Sequence, residues 1–516
     1  MFLSEVTKMK KFIRNILVGG LAVTLFGSCN LDLFPTTALL YDEDGVQFQT
    51  LEDISTFQNG VLASYRAVQY GSYMQSIEVM CDGFNATTGF GNNYGSIHRV
   101  DETFTPSDEY AETMWAGHYS AIKNYNIAIA NCMKVTDEDL KPYADLLMGI
   151  ATFCRASSYL TLTRVFGNDY NPGTASTDLS VPLVLEFDIN AKPARATVQQ
   201  VYDQILTDLE AAENLLADVE GEPRSQIPTI DAVKALMARY YLDVEEYEIA
   251  ADIADEVINS EAGYELSSTA TEMTAEFTND SGNEPIVQMY ATQNEGVVGN
   301  TIFTLVGKDL NGKYFGSYFI PSAKLLDAYD RSDLRYSNWF TTRYPIKMNG
   351  TNHNGITVFS KYIGNPNLQS GTVEAGAHAA KTLMIAEMYL ISAEGYAMAG
   401  SENKAKRVLN KLQAARGAVP TDGSMESVAE EWFKETIGDG FRLSCVKRWL
   451  DAAAVDTNKL MDGLENRDPQ PGASDLVMTG QGYTERTLSY QFNWPVPAYE
   501  IKINPSLVQN PGYTAI

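Results

Sequence analysis

The sequence predicts a mostly α-helical protein: a scaffold of tetratricopeptide-like helix pairs carrying a loop-rich insertion with short strands. Three observations predict it. Amphipathic stretches with apolar residues three and four apart fill much of the first half of the chain and return near residue 380. Two pairs of these stretches form helix–turn–helix units of about 34 residues with alanines at the crossings, the signature of tetratricopeptide repeats; a generic helical bundle is the alternative. Between the pairs the helical period is lost, and Gly, Asn, Ser, Thr and aromatic residues crowd in.

Residues 1–28 read as a lipoprotein signal peptide. Lys8, Lys10, Lys11 and Arg14 precede an apolar run from Ile16 to Phe26, which is shorter than the roughly 20 residues a bilayer span needs. Gly27-Ser28-Cys29 then looks like a lipobox, with Phe26 where Leu is usual, so Cys29 is expected to carry the lipid and become the mature N-terminus. Met9-Lys10-Lys11 makes a better signal start than Met1. Residues 29–40, broken by Pro35, read as a tether.

Residues 41–260 form an N-terminal helical region interrupted by a loop-rich stretch at 71–104. Ile54 to Tyr70 places Ile54, Phe57, Val61, Tyr65 and Val68 on one face, and Tyr110 to Met133 and Lys141 to Phe166 read as longer helices. Thr197 to Ala217 has Thr197 as N-cap and Val201, Ile205, Leu209 and Ala212 in line. Thr229 to Val244 and Tyr247 to Ile258 make the first clear pair, crossing at Ala235, Ala238, Ala250 and Ala254. Residues 381–456 continue the scaffold: Lys381 to Ala399 and Glu402 to Arg416 pair through Ala386, Ala393, Ala397 and Ala405, with Gly400 as C-cap. Residues 261–380 form the insertion, helical only from Pro321 to Tyr329, and residues 457–516 form a proline-containing tail.

Composition narrows the function. The chain of 516 residues carries a formal charge of −28. The signal region holds four basic residues and one acidic, so the mature protein is near −31. That charge disfavours nucleic acid, anionic lipid and heparin-like polyanions as ligands and leaves neutral ligands open. Cys81, Cys132, Cys154 and Cys445 show no CxxC spacing, and Cys132 and Cys154 lie in helical patterns, where free buried thiols are expected. No HExxH or GxSxG motif occurs, and His98, His118, His353 and His378 are scattered. Gly307 to Tyr314 has P-loop spacing, but Tyr314 stands where Ser or Thr would hold magnesium. Gly89 to Gly95 has one residue too many for a dinucleotide fingerprint. No catalysis, metal or cofactor is expected.

What remains is a supply of aromatic rings, 29 of them tyrosines, beside Asn- and Gly-rich loops. Flat rings stack on the C–H faces of sugars while Asn, Asp, Gln and Arg bond their hydroxyls, although the same surface would serve extended peptides. More than half of the insertion's aromatics are expected to be core.

Five sequence blocks resemble the SusD/RagB family of outer-membrane lipoproteins. They are Cys29-Asn30-Leu31-Asp32-Leu33-Phe34-Pro35; Arg155-Ala156-Ser157-Ser158-Tyr159-Leu160 through Arg164-Val165-Phe166-Gly167 to Val181-Pro182-Leu183; Arg195-Ala196-Thr197-Val198 with Tyr202, Ile205, Asp208 and Leu209; Ala386-Glu387-Met388-Tyr389-Leu390 with Ala393, Glu394, Asn410 and Arg416; and Trp494-Pro495-Val496-Pro497 with Glu500, Asn504-Pro505 and Gln509-Asn510-Pro511-Gly512-Tyr513. The stretch Gly440 to Trp449 departs, keeping Arg442 and Arg448-Trp449 but lacking the family's His and acidic residue. The resemblance implies about four helix pairs packed against a SusC-like TonB-dependent transporter, with the protein lipid-anchored at the cell surface. It would capture oligosaccharides for import without catalysis; a RagB-like peptide binder is the alternative. Ligand contacts do not follow from the resemblance. On physical grounds they are expected among Tyr73, Phe90, Tyr94, Tyr314, Tyr318 and Trp339, taken as solvent-facing rings, with Asn92, Asn93 and Asn311 as polar neighbours.

Overall fold

Helix α1 (Leu51–Gln69) starts where Thr50 and Asp53 close a capping box, each side chain accepting the other's backbone N–H. Ile54, Val61, Tyr65 and Val68 are its buried stripe. The structure, a computed structural model, describes residues 48–294, 301–369, 376–486 and 492–514. Cys29, the signal segment and the tether lie outside them.

Seven further helices complete the scaffold: α2 (Glu109–Cys132), α3 (Lys141–Phe166), α4 (Val198–Leu215), α5 (Ile230–Asp243), α6 (Tyr247–Ile258), α7 (Ile385–Met398) and α8 (Glu402–Ala415). They pack as four pairs in chain order: α1 on α2, α3 on α4, α5 on α6 and α7 on α8, with α6 also against α7. Thr197 closes a second capping box at α4 with Gln200. Gly400 turns the chain between α7 and α8 at φ +73°, where an L side chain would be strained. The closest crossing is α6 on α7: a Cβ at Gly395 would sit 2.4 Å from the Tyr247 carbonyl oxygen. Only glycine lets those backbones meet. The four cysteines 81, 132, 154 and 445 are buried and free.

Several local expectations change. The insertion is helical also at Ala270–Phe277 and Leu334–Trp339, begun by the caps Thr269 and Asp333, and the tail is helical at Thr457–Glu465 and Ala498–Ile503. Lys381–Met384 is not the first turn of α7 but strand β10, antiparallel to β2 (Pro285–Gln288). Buried Lys381 is fixed there by an ion pair to Asp280 at 2.5 Å, so tertiary pairing overrides the helical period. The loop-rich stretch after residue 71 opens with a helix, Ser72–Met80, whose residues from Met74 onward are all buried. A helix buried on every side shows no amphipathic pattern.

The other strands are short. β1 (Phe84–Ala86) pairs antiparallel with β5 (Phe319–Pro321), and β6 (Phe340–Thr341) pairs with β9 (Val358–Phe359). β3 (Val306–Asp309), β4 (Gly312–Phe315), β7 (Ile346–Met348) and β8 (Thr351–His353) make a four-stranded sheet in that order.

The motif residues of the sequence blocks turn inward. Arg155 pairs with Asp208 at 2.7 Å across α3 and α4, and Arg239 pairs with Glu387 at 2.5 Å across α5 and α7. Arg448 and the Trp449 indole both donate to Glu394 at 2.9 Å. Arg442 grips Asp82 at 2.7 Å, in a helix (Arg442–Asp451) that packs as a core element despite its altered motif. Asn510 of the tail donates to the carbonyls of Phe166 and Trp494 at 2.8 and 2.6 Å, tying the chain end to the end of α3. These are structural roles.

Glu78, fully buried in the Ser72–Met80 helix, carries a testable consequence. Burial raises its carboxyl from 4.5 to about 7, against the opposing pull of the Gly440 and Gly438 N–H groups. A raised folded value means that the contribution to stability is complete below about pH 4.5 and lost as pH climbs through about 7. Glu78→Gln removes that titration. Its stability relative to the native chain should rise by up to about 3 kcal/mol between about pH 5 and about pH 8. Urea unfolding at both values checks this; a difference that stays flat with pH would contradict it.

Candidate ligand-binding face

The β1–β5 pair brings the two loop-rich stretches together. Thr87 N donates to the Tyr318 carbonyl at 2.8 Å, and the Thr87 hydroxyl donates to the Ser317 carbonyl at 3.0 Å. A tail segment joins them, with Thr88 N on the Leu476 carbonyl and Met478 N on the Ala86 carbonyl, both at 2.8 Å. Beneath lies a small separate core that includes Val306, Phe315, Ile320, Ile346, Met348, Val358 and Val477.

Strand alternation sets the outer surface of the four-stranded sheet. Val306, Phe315, Ile346 and Met348 point to that core, so Gly307, Asp309, Tyr314 and Lys347 point away from it. Gly307 stands directly opposite Tyr314 in the register, and a Cβ there would fall 2.4 Å from the tyrosine Cζ. The missing side chain lets the ring lie over the strand. Lys347 Nζ sits 4.6 Å from the Tyr314 ring centre and 2.6 Å from Asp309 Oδ2. Hydrogen bonds from Lys347 and the Asn311 N–H hold the Asp309 carboxyl below the usual range. On the core side of the sheet, Tyr344 packs against Phe315 at 5.3 Å, with Arg343 and Lys313 at 4.8 and 5.5 Å from its ring. The result is a half-exposed aromatic plane ringed by donors and acceptors.

The neighbouring loop is tightly wound. Asn92, Tyr94 and Val100 have φ of 62°, 55° and 51°, a conformation that costs energy for residues other than glycine and that clusters at binding sites. Exposed Asn92 accepts from Arg99 Nη1 at 2.9 Å, and Arg99 lies 5.5 Å over the Tyr483 ring. Asn93 donates to the Phe90 carbonyl at 2.6 Å, which fixes the turn.

Of the rings expected to face solvent, Tyr314 lies on this surface with Asn311 in the turn between β3 and β4; Asn92 and Asn93 lie in the separate 89–100 loop, and Tyr318 is half-buried. Others require correction. Trp339 is fully buried, edge-on to Phe277 at 5.0 Å with Lys361 Nζ 4.2 Å from its ring; its large apolar area is worth more in the core than on a loop. Phe90 is buried between Phe319 and Tyr483 at 6.2 and 6.1 Å. Tyr94 is buried too, stacked on Tyr110 at 4.3 Å. Tyr73 lies away from the face, edge-on to His118 at 5.8 Å and lining an internal cavity of about 120 Å³. That cavity is bounded by matched ions, Arg239 with Glu387 and Lys361 with Asp439.

Sequence reasoning passed over Lys347, Arg99 and Tyr483. Tyr483 joins the face only through the pairing of residues 86–88 with the tail, which no local pattern announces. The glycine opposite Tyr314 was the one legible signal for a ring laid flat on a hairpin.

Comparison with known proteins shows the family and the fold. A family model described as the SusD family matches residues 235–513, and one described as starch-binding, associating with outer membrane, matches residues 32–242. SusD-like protein P2 of Formosa agariphila is 24% identical, covering 98% of this chain and all of its own length. A structure titled laminarin binding SusD-like protein superposes with TM-score 0.68 at 19% identity, covering 90% of this chain and 100% of that one. Surface glycan-binding protein A from Bacteroides fluxus gives TM-score 0.66 at 18% identity, with 90% and 100% covered.

Two substitutions separate platform from core. Tyr314→Ala should weaken oligosaccharide affinity about tenfold with an unchanged melting temperature. Trp339→Ala should cost about 3–5 kcal/mol of stability through the cavity it leaves. Calorimetric binding and thermal melts read both, and the reverse pattern would contradict the placement.

Proposed function

The chain belongs to the SusD family, and we propose that it is a cell-surface lipoprotein that captures glycans for import. Cys29 would carry the lipid, and a SusC-like TonB-dependent transporter in the outer membrane would receive the oligosaccharide. The tetratricopeptide-like helices are the surface suited to that partner, which leaves the loop face for the ligand. The outer-membrane and starch-binding description of one matching model, and the laminarin- and glycan-binding titles of two structural relatives, support the reading.

The observation that carries it is the Tyr314 shelf. A ring laid over Gly307, with Asp309, Lys347 and Asn311 at its border, matches a sugar's alternation of C–H face and hydroxyl rim. Binding without cleavage is the chemistry this arrangement favours. Glycoside hydrolysis needs one carboxyl held protonated and another free to attack. Here Asp309 is held ionised by Lys347, and Asp101 is paired with Arg99 at 2.9 Å.

A glycan array run beside a peptide pool tests the proposal on the mature protein. Retention of one glycan class, with no new reducing ends after prolonged incubation, is the expected outcome. Peptides bound in place of glycans, or sugar products released, would overturn it.

A further inference from the structure

Most buried arginines of this protein meet a carboxylate: Arg155, Arg335, Arg416, Arg442 and Arg448 each have one within 2.9 Å. Arg467 and Arg486, 1% and 5% exposed, have no ion pair among the described residues. Arg195 lacks one as well, but it spends its Nε–H on the Ser180 carbonyl. The Nε–H groups of Arg467 and Arg486 are buried with no partner. The two residues belong together. Asn466 and Glu485 form an antiparallel bridge, with Arg467 N donating to the Thr484 carbonyl at 3.0 Å and Arg486 N to the Glu465 carbonyl at 2.9 Å. In that register Arg467 and Arg486 are diagonal neighbours whose side chains leave one face, within reach of each other.

Their remaining donors go to neutral groups. Arg486 donates to the carbonyls of Met80 and Cys81 at 2.5 and 3.4 Å, and Arg467 donates to those of His98, at 3.0 Å, and Tyr483. Arg467 is short of a further acceptor. His98 Nε2 accepts from Ala86 N at 3.3 Å, so Nδ1 carries the proton that it gives to the Val79 carbonyl at 2.9 Å. Arg467 Nη1, 2.8 Å from that same Nδ1, therefore faces an N–H and not a lone pair. Carbonyls satisfy single N–H groups but leave two positive charges in the interior, where charges are paired or bind ions. Asp82 favours both charges, yet it is committed to Arg442 at 2.7 Å and Lys324 at 2.6 Å, one carboxylate against two cations. Burial pushes both guanidinium groups down, and the repulsion of Arg486 lowers Arg467 further. A guanidinium keeps its proton all the same, so the charge must be met by a partner.

We propose that Arg467 and Arg486 bind a halide ion, chloride being the commonest, through their two free Nε–H groups. Two single donors suit a spherical monovalent ion, whereas sulfate or phosphate would bring four oxygens to a site with few donors left. Through the carbonyls of His98 and Tyr483, Arg467 also ties together the two loops that carry Asn92 and Tyr483, so the ion braces the ligand face from beneath. This holds whichever ligand that face takes.

Thermal melts of the mature protein at constant ionic strength test it, with chloride exchanged stepwise for gluconate, a large organic anion. The melting temperature should rise with chloride and level off as the site fills, and bromide should act in its place. Crystals grown in bromide should show an anomalous peak in contact with both Nε atoms. The Arg486→Gln variant, which removes one of the two charges, should need at least about tenfold more chloride for the same rise. Should that variant fold poorly, the melts and the bromide map of the native chain still decide. A native melt that does not respond to chloride overturns the proposal. A bromide peak without saturable stabilisation marks an adventitious ion only and overturns it as well.

Discussion

One buried ionic network holds this structure together. The Arg416 guanidinium lies between Glu284 and Glu435, at 2.8 and 2.6 Å, and also donates to the Ser267 carbonyl at 2.7 Å. Arg335 shares Glu435 at 2.8 Å and binds Glu431 and Asp333 at 2.6 and 2.8 Å. Burial alone would push the Glu435 carboxyl up, but Arg416 and Arg335 together hold it well below the usual range. Taking such ions out of water costs several kcal/mol each, and only a complete set of partners offsets it. Ser267, Glu284, Asp333 and Arg335 belong to the insertion; Arg416 is the C-cap of α8, and Glu431 and Glu435 belong to the helix Met425–Glu435. Neither side can bury its charges without the other.

The ligand face inherits its geometry from that union. β2 is fixed to β10 and through it to α7, while Trp339, in the core, positions the strand β6 that follows it. From there the short strands reach outward over their own small core, and the pairing of residues 84–88 with β5 and the tail aligns Asn92, Arg99 and Tyr483 beside the sheet. Tyr314 thus stands on backbone hydrogen bonds and a glycine, on a platform whose rigidity originates in the interior. Loops that carry recognition are precise only when a scaffold fixes their ends.

How legible this was in the sequence depended on where each residue finds its partner. Scaffold helices such as α1 and α4 could be read because each buries one stripe and exposes the rest, and because Thr197 announces its capping box, whereas α3 and α7 are buried on nearly every side. The Ser72–Met80 helix was hidden by burial on every side, and β10 by a partner strand almost a hundred residues earlier. The sequence blocks that carry the family resemblance proved to be interior: Arg155, Glu387, Glu394, Arg416 and Arg448 are engaged in buried pairs. They identify the fold and not the ligand. Among the aromatics, composition pointed to the right stretches but not to which rings face out; Trp339 went to the core because nothing repays exposure of so large an apolar surface.

The central claim is that charges buried between the insertion and the last scaffold helices hold the ligand face in place. Hydrogen exchange on the Arg416→Met variant tests it most directly, since the change strands Glu284 without its cation and leaves Glu435 to Arg335. Amides of β2, β10 and the β3–β8 region should lose protection while those of α3 to α6 keep theirs. Exchange unchanged throughout, or accelerated equally in the scaffold and the insertion, would contradict the account.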